Sequence, residues 1–176
     1  MLVAGLPGAG KSTLLERLYR LRGDECGPVR IDGGWVIDSR QARNRWARLL
    51  RPVPARARVP LVNATHVCWI ARAVLRGDGV VAHTRGTWPH ILHLFAWMAR
   101  RHGSQVHLVL IDVDPGTALA GQVARGRVVT TVTFARHVRR WGPLVRRARA
   151  GAVPPAATVT LLDRARADGL RAIHLG

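Results

Sequence analysis

A chain of 176 residues has room for one domain with a full hydrophobic core, and residues 1–176 are expected to form a single such domain. Its formal charge of +18 points to polyanionic or phosphorylated partners, or equally to an arginine-rich solvated surface. Cys26 and Cys68 are isolated, which excludes a disulfide framework or a C-x-x-C zinc site; no apolar run approaches the roughly 18 residues needed to cross a bilayer, and residues 1–4 lack the basic flank of a signal peptide, so a cytoplasmic protein is expected.

The chain opens on Leu2-Val3-Ala4, a short apolar run of the kind found in buried parallel strands. Gly5-Leu6-Pro7-Gly8-Ala9-Gly10-Lys11-Ser12-Thr13 follows and fits G-x-x-x-x-G-K-[ST], the Walker A or P-loop pattern. Lys11 is the one lysine among 28 basic residues, so the compact ammonium is reserved for the position that reaches β/γ-phosphate oxygens. Gly5, Pro7, Gly8, Ala9, Gly10, Lys11, Ser12 and Thr13 are the expected nucleotide-binding residues, with the Ser12 hydroxyl as a Mg²⁺ ligand. Residues 12–22 read as a helix with Leu14, Leu15, Leu18 and Leu21 on one face and Gly23 as its stop.

Asp32-Gly33-Gly34 reads as a turn, and Val36-Ile37-Asp38 as a second strand ending in a carboxylate. Residues 40–50 form a basic helical stretch, 51–60 a proline-punctuated loop and 61–76 a further helix. Strands at 80–83, 106–113 and 158–163 alternate with helices at 88–101, 118–125 and 133–149. This strand–helix alternation predicts a parallel α/β sheet.

In such sheets ligands bind beyond the carboxyl ends of the strands, which singles out the P-loop, Asp38, the end of the third strand and the segment after the fourth. Asp38 could accept a proton from an incoming hydroxyl or help hold Mg²⁺, and it could equally cap the next helix with Ser39. Arg40 and Arg43 lie where a substrate anion could be held. At Thr84 an uncharged hydroxyl stands where many kinases carry a carboxylate. Arg125 and Arg127, around Gly126, suit a lid that closes over ATP and stabilises charge on the transferring phosphoryl group; a basic helix terminus is the alternative. Asp112 and Asp114 read as structural or capping residues. His90 and His93 read as helix-surface residues rather than a metal pair, and Trp35 and Trp88 as core or rim packing rather than base stacking.

Taken together, GLPGAGKST, VIDSRQAR, LVLIDV and QVARGRVVT with TFARHVRRW resemble the P-loop kinases of the polynucleotide kinase, zeta toxin and chloramphenicol phosphotransferase type, often labelled AAA-family ATPases. The resemblance covers nearly the whole chain. It implies a five-stranded parallel sheet of order 2-3-1-4-5 with helices on both faces. It also implies an aspartate base with a nearby arginine at Asp38 with Arg40 or Arg43, and lid arginines at Arg125 and Arg127. The chain departs from the pattern at Thr84 and at Gln41, which takes the arginine position of D-x-x-R. The implied function is an ATP/Mg²⁺-dependent phosphotransferase acting on a hydroxyl of a small molecule or a nucleic-acid 5′ end, with the acceptor unnamed by any motif and residues 44–76 shaping its pocket. The alternative is a non-catalytic or weakly hydrolytic ATP-binding regulatory or nucleic-acid-binding module, with Arg136, Arg139, Arg140, Arg146, Arg147 and Arg149 as its basic footprint.

Overall fold

The computed structural model describes residues 1–84, 88–124, 126 and 129–173, and all their side chains except those of residues 55 and 56. Its centre is β1 (Leu2–Gly5), a strand buried along its whole length. On one side β1 pairs in parallel with β4 (Gly79–Thr84), and on the other with β5 (His107–Ile111). A strand shielded on both faces and both edges must be apolar throughout, and Val3 and Ala4 are completely shielded from solvent.

Outward from β4 comes β3 (Gly34–Ile37), and outward from β5 comes β6 (Thr158–Leu162), both again parallel. These five strands have the expected order. The sheet nevertheless has six strands, because β2 (Val29–Ile31) pairs antiparallel with β3 and forms its edge. Asp32 and Gly33 make the two-residue turn of a hairpin, so the expected turn is present and the strand before it was missed.

The helices are α1 (Lys11–Tyr19), α2 (Ser39–Ala47), α3 (Ala55–Leu75), α4 (Pro89–Arg100), α5 (Pro115–Val123), α6 (Thr131–Arg149) and α7 (Arg164–Gly169). Two of the boundaries that differ from expectation have a local cause. First, α1 ends at Arg20, which adopts a left-handed φ of 52°, rather than running to Gly23. The Glu25 carboxylate accepts the N–H groups of Arg22 and Gly23 at 2.6 and 3.0 Å, giving this stretch a loop alternative to helical bonding. Second, α3 begins inside the supposed proline loop and contains Pro60. A proline near a helix start removes a single backbone bond, and the Pro54 carbonyl secures the first turn by accepting from Ala57 and Arg58.

Phe95 and Met98 of α4 are buried as expected, while Ile91 and Leu92 pack partly buried at its edge. Asp112 accepts from Trp141 Nε1 and Arg149 Nη2, both at 3.1 Å, and Asp114 caps α5 through the Thr117 N–H at 3.0 Å. Both aspartates therefore serve structure, as the sequence suggested. Trp35 donates to Asp78 at 3.1 Å and packs against the core. No helix among the described residues is long and apolar enough to cross a membrane. The parallel topology brings Gly5, Asp38, Thr84, Asp112 and Asp163 to the same end of the sheet, each at or just beyond the end of its strand.

Candidate nucleotide and acceptor site

The loop from β1 to α1 wraps tightly. Gly8 and Gly10 have φ of 93° and 92°, and the Ala9 N–H donates to the Leu6 carbonyl at 3.0 Å. Gly10 caps α1 without a side-chain bond, so the backbone donors of the first turn face an approaching anion rather than a hydroxyl or carboxylate of the chain. Lys11 is 5% exposed and donates to the carbonyls of Gly5 at 2.9 Å and Leu6 at 2.7 Å, which places its ammonium at the loop's inner rim. Ser12 is buried beside it, whereas Thr13 points outward and is exposed.

Asp38 is buried and serves two purposes. Its Oδ1 accepts the Arg40 N–H at 2.6 Å, while Gln41 Oε1 accepts the Asp38 N–H at 3.0 Å, a complete capping box at the start of α2. Its Oδ2 is sealed from solvent, has no hydrogen-bond partner among the described residues, and lies 3.6 Å from His83 Nδ1. The helix-cap and ligand-facing readings of this aspartate are thus compatible, one for each oxygen.

His83 is a neighbour the sequence reading passed over. In the parallel register Ile37 sits opposite Ala82, so the next residues, Asp38 and His83, come side by side at the sheet's end. Ser39 Oγ lies 3.3 Å from His83 Nδ1, and His66 Nε2 donates to the His83 carbonyl at 2.7 Å. Burial alone would raise the Asp38 pKa, but His83, the Arg40 N–H and the Ser12 hydroxyl together hold it well below the usual carboxylate range. For His83, burial lowers the pKa and outweighs the opposing pull of Asp38, with Lys11 and Arg43 adding to the lowering. At neutral pH the pair is therefore a carboxylate beside a neutral imidazole.

A depressed histidine pKa means that the unfolded chain binds a proton that the folded one refuses. Stability should fall as pH drops below the ordinary histidine value of 6.5, by at most about 1.4 kcal/mol per pH unit for this one proton. In urea titrations across that window, His83→Gln should flatten the slope relative to the unaltered chain. An unchanged slope would contradict the assignment.

Other expected residues sort differently. Arg40 pairs with Glu16 of α1, so it braces α2 on α1 rather than waiting for a substrate anion. Arg43 instead lines a cleft of about 530 Å³ together with Ser39, His83 and Thr84. Trp88, at the entrance to α4, stacks on His90 with ring centroids 5.7 Å apart and lines the same cleft. Arg125 and Arg127 lie outside the described residues. Their flanks are visible: Gln122 of α5 donates to the Pro7 carbonyl at 3.1 Å and accepts the Val129 N–H at 3.0 Å. One buried amide thus ties the P-loop to the chain just beyond the two arginines. Across the loop, Arg164 Nη1 comes within 3.0 Å of where a Gly10 Cβ would stand. Gln122 opens the QVARGRVVT stretch, but its tie to the P-loop was not foreseen from sequence, and Arg164 was not singled out at all, since each meets the loop through tertiary packing. His90 and His93 are both exposed on α4.

The AAA domain family matches residues 1–144, which take in the P-loop, Asp38, His83 and Gln122. The chain belongs to the AAA domain family. Among solved structures, a gluconokinase from Sinorhizobium meliloti 1021 superposes with a TM-score of 0.53 at 14% identity, over 93% of this chain and 81% of that one. Identity that low carries the fold and no more. A comparison with curated proteins yields no match. This AAA-domain protein is therefore a P-loop nucleotide-binding protein of kinase-like fold.

Proposed function

We propose that the protein is an ATP/Mg²⁺-dependent phosphotransferase that moves the γ-phosphoryl group to a hydroxyl. The observation that carries this reading is the position of Asp38, with one oxygen capping α2 and the other sealed from solvent 3.6 Å from His83 Nδ1, beside a cleft of about 530 Å³ lined by His83 and Ser39. A nucleotide in the P-loop and an acceptor in the cleft would meet at that carboxylate.

The residues present fit a bound magnesium ion. Mg²⁺ favours hard oxygen donors, and it needs only one or two from the protein when phosphates and water supply the rest. The Ser12 hydroxyl and the orphan Asp38 Oδ2 are such donors. When bound, the ion neutralises charge on the β/γ-phosphate oxygens. Lys11 and the loop N–H groups hold the phosphates, and Asp38 orients the acceptor hydroxyl. A carboxylate with so low a pKa is a weak base, which matters little for a loose phosphoryl-transfer transition state with late proton release. Arg125 and Arg127 are proposed as the clamp on the transferring group. Thr84 supplies no charge, so the reading places the carboxylate role on Asp38.

The test is transfer of labelled γ-phosphate from Mg·ATP to a panel of alcohols, with Lys11→Ala as control. Lys11→Ala should weaken ATP binding by about 100-fold or more, as expected on losing one or two charge-assisted hydrogen bonds. Tight ATP binding without transfer or hydrolysis above background would favour the non-catalytic module instead.

A further inference from the structure

The chemistry of the cleft narrows the acceptor. Its walls come chiefly from apolar side chains, among them Trp46, Val59, Val62, Val67, Trp88 and Ile91. Trp46 spends its indole N–H on Thr65 Oγ1 at 2.9 Å, so what remains for a ligand is aromatic surface. His66 likewise commits Nε2 to the His83 carbonyl. Ser39, His83 and Thr84 supply polar groups at the sheet end, with His83 beside Asp38, and Asn63 and His66 add polar groups from α3. Among the described residues no aspartate or glutamate lines the cleft, whereas Arg43 of α2 and Arg58 of α3 do.

A polyol would strand most of its hydroxyls against the apolar walls, where an unpaired polar group is penalised. A cationic acceptor would meet two guanidinium groups and no carboxylate on the wall. The volume of about 530 Å³ lies within the range of about 300–1,000 Å³ typical of small-ligand sites.

We propose that the acceptor is a small alcohol with an apolar, ring-bearing body and an anionic group, its hydroxyl directed to the sheet end where Ser39 and His83 line the cleft beside Asp38, its ring packed on the tryptophan-lined wall and its anion drawn to Arg43 and Arg58. This rests on the phosphotransferase reading, but its ligand chemistry is measurable separately. During transfer the acceptor oxygen forms the new bond to phosphorus as the bond from phosphorus to the bridging oxygen of ADP breaks, and the hydroxyl proton leaves to solvent.

The probes are 6-(hydroxymethyl)-2-naphthoate, 2-naphthalenemethanol, 6-(aminomethyl)-2-naphthalenemethanol, gluconate and a short 5′-hydroxyl oligonucleotide. Each is assayed for binding by calorimetry and for transfer from Mg·ATP. The naphthoate should bind at least about 10-fold more tightly than the amine or gluconate, a margin of one favourable ion contact plus ring burial. Val62→Trp, which fills the cleft, should abolish that binding while ATP still binds. Arg58→Ala, at a partly exposed helix position, should erase most of the advantage of the naphthoate over the neutral alcohol. Preference for the amine, gluconate or the oligonucleotide, or no binding by any aromatic probe, would overturn the proposal. Naphthoate binding that responds to both variants, with no transfer to any probe, would uphold the ligand class and remove the phosphotransferase reading.

Discussion

Gly8→Ala is expected to abolish nucleotide binding and to destabilise the protein by about 3 kcal/mol or more. Two costs combine. The residue sits at a φ of 93°, where a side chain costs about 1–2 kcal/mol. The added methyl would also stand 1.8 Å from the Ala118 carbonyl oxygen and 3.0 Å from Gln122 Cγ. Overpacking of this kind typically adds about 1–3 kcal/mol. Ala118 is a fully buried backbone position of α5, so the phosphate loop must yield instead, and its N–H groups lose their common aim. Gly27→Ala is the matched control, since nothing lies within 4 Å of its added methyl, and a change within about 0.5 kcal/mol is expected there. Urea denaturation and ATP titration of both variants check the claim. Wild-type stability and affinity in Gly8→Ala would refute it.

Asp38→Asn should reduce phosphoryl transfer by about 10³-fold while leaving the fold intact, in line with the range of about 10²–10⁴ for positioned acid–base groups. Asparagine caps helices as well as aspartate does, so the bond from the Arg40 N–H survives and α2 stays in register. The loss falls on the other oxygen. Oδ2, buried with the Ser12 hydroxyl close to the carboxylate, becomes a neutral amide or carbonyl, which removes the charge that the proposed roles toward a divalent ion and an acceptor hydroxyl require. Magnesium-free ATP affinity should change little, and the melting temperature should stay close to that of the unaltered chain. Single-turnover transfer rates within about 10-fold of the unaltered protein would count against this role for Asp38.

The P-loop was legible because its chemistry is contiguous: a turn, an ammonium, a hydroxyl and a helix start fall within one short stretch. The parallel α/β class followed from the alternation of elements, and the strand order from the resemblance. Features that depend on register or packing were not legible. His83 reaches Asp38 only because Ile37 aligns with Ala82 across two strands far apart in the chain. Arg40 looked like a substrate ligand from its spacing, yet Glu16 of another helix claims it. Val29-Arg30-Ile31 is too short for its alternation to stand out, so the sixth strand was missed. Pro60 suggested a loop, but near the start of a long helix its single missing bond was outweighed by the packing of α3 against α2 and α4. The +18 charge is spread over arginines with differing tasks, including Arg149 on Asp112 and Arg17 on the carbonyl of Ala167, so net charge alone pointed to no partner.

The short β2 strand has a bearing on solubility as well as on shape. Without it, β3 would expose a flat, unpaired ladder whose Val36 and Ile37 are wholly buried in the fold, a ready template for another molecule's strand. With it, the outermost ladder is only three residues long and carries Arg30 over the Trp35 ring, a charged and truncated rim that discourages stacking of copies. Because Asp38 is the residue directly after β3, shielding that strand from intermolecular pairing also keeps its carboxylate in place.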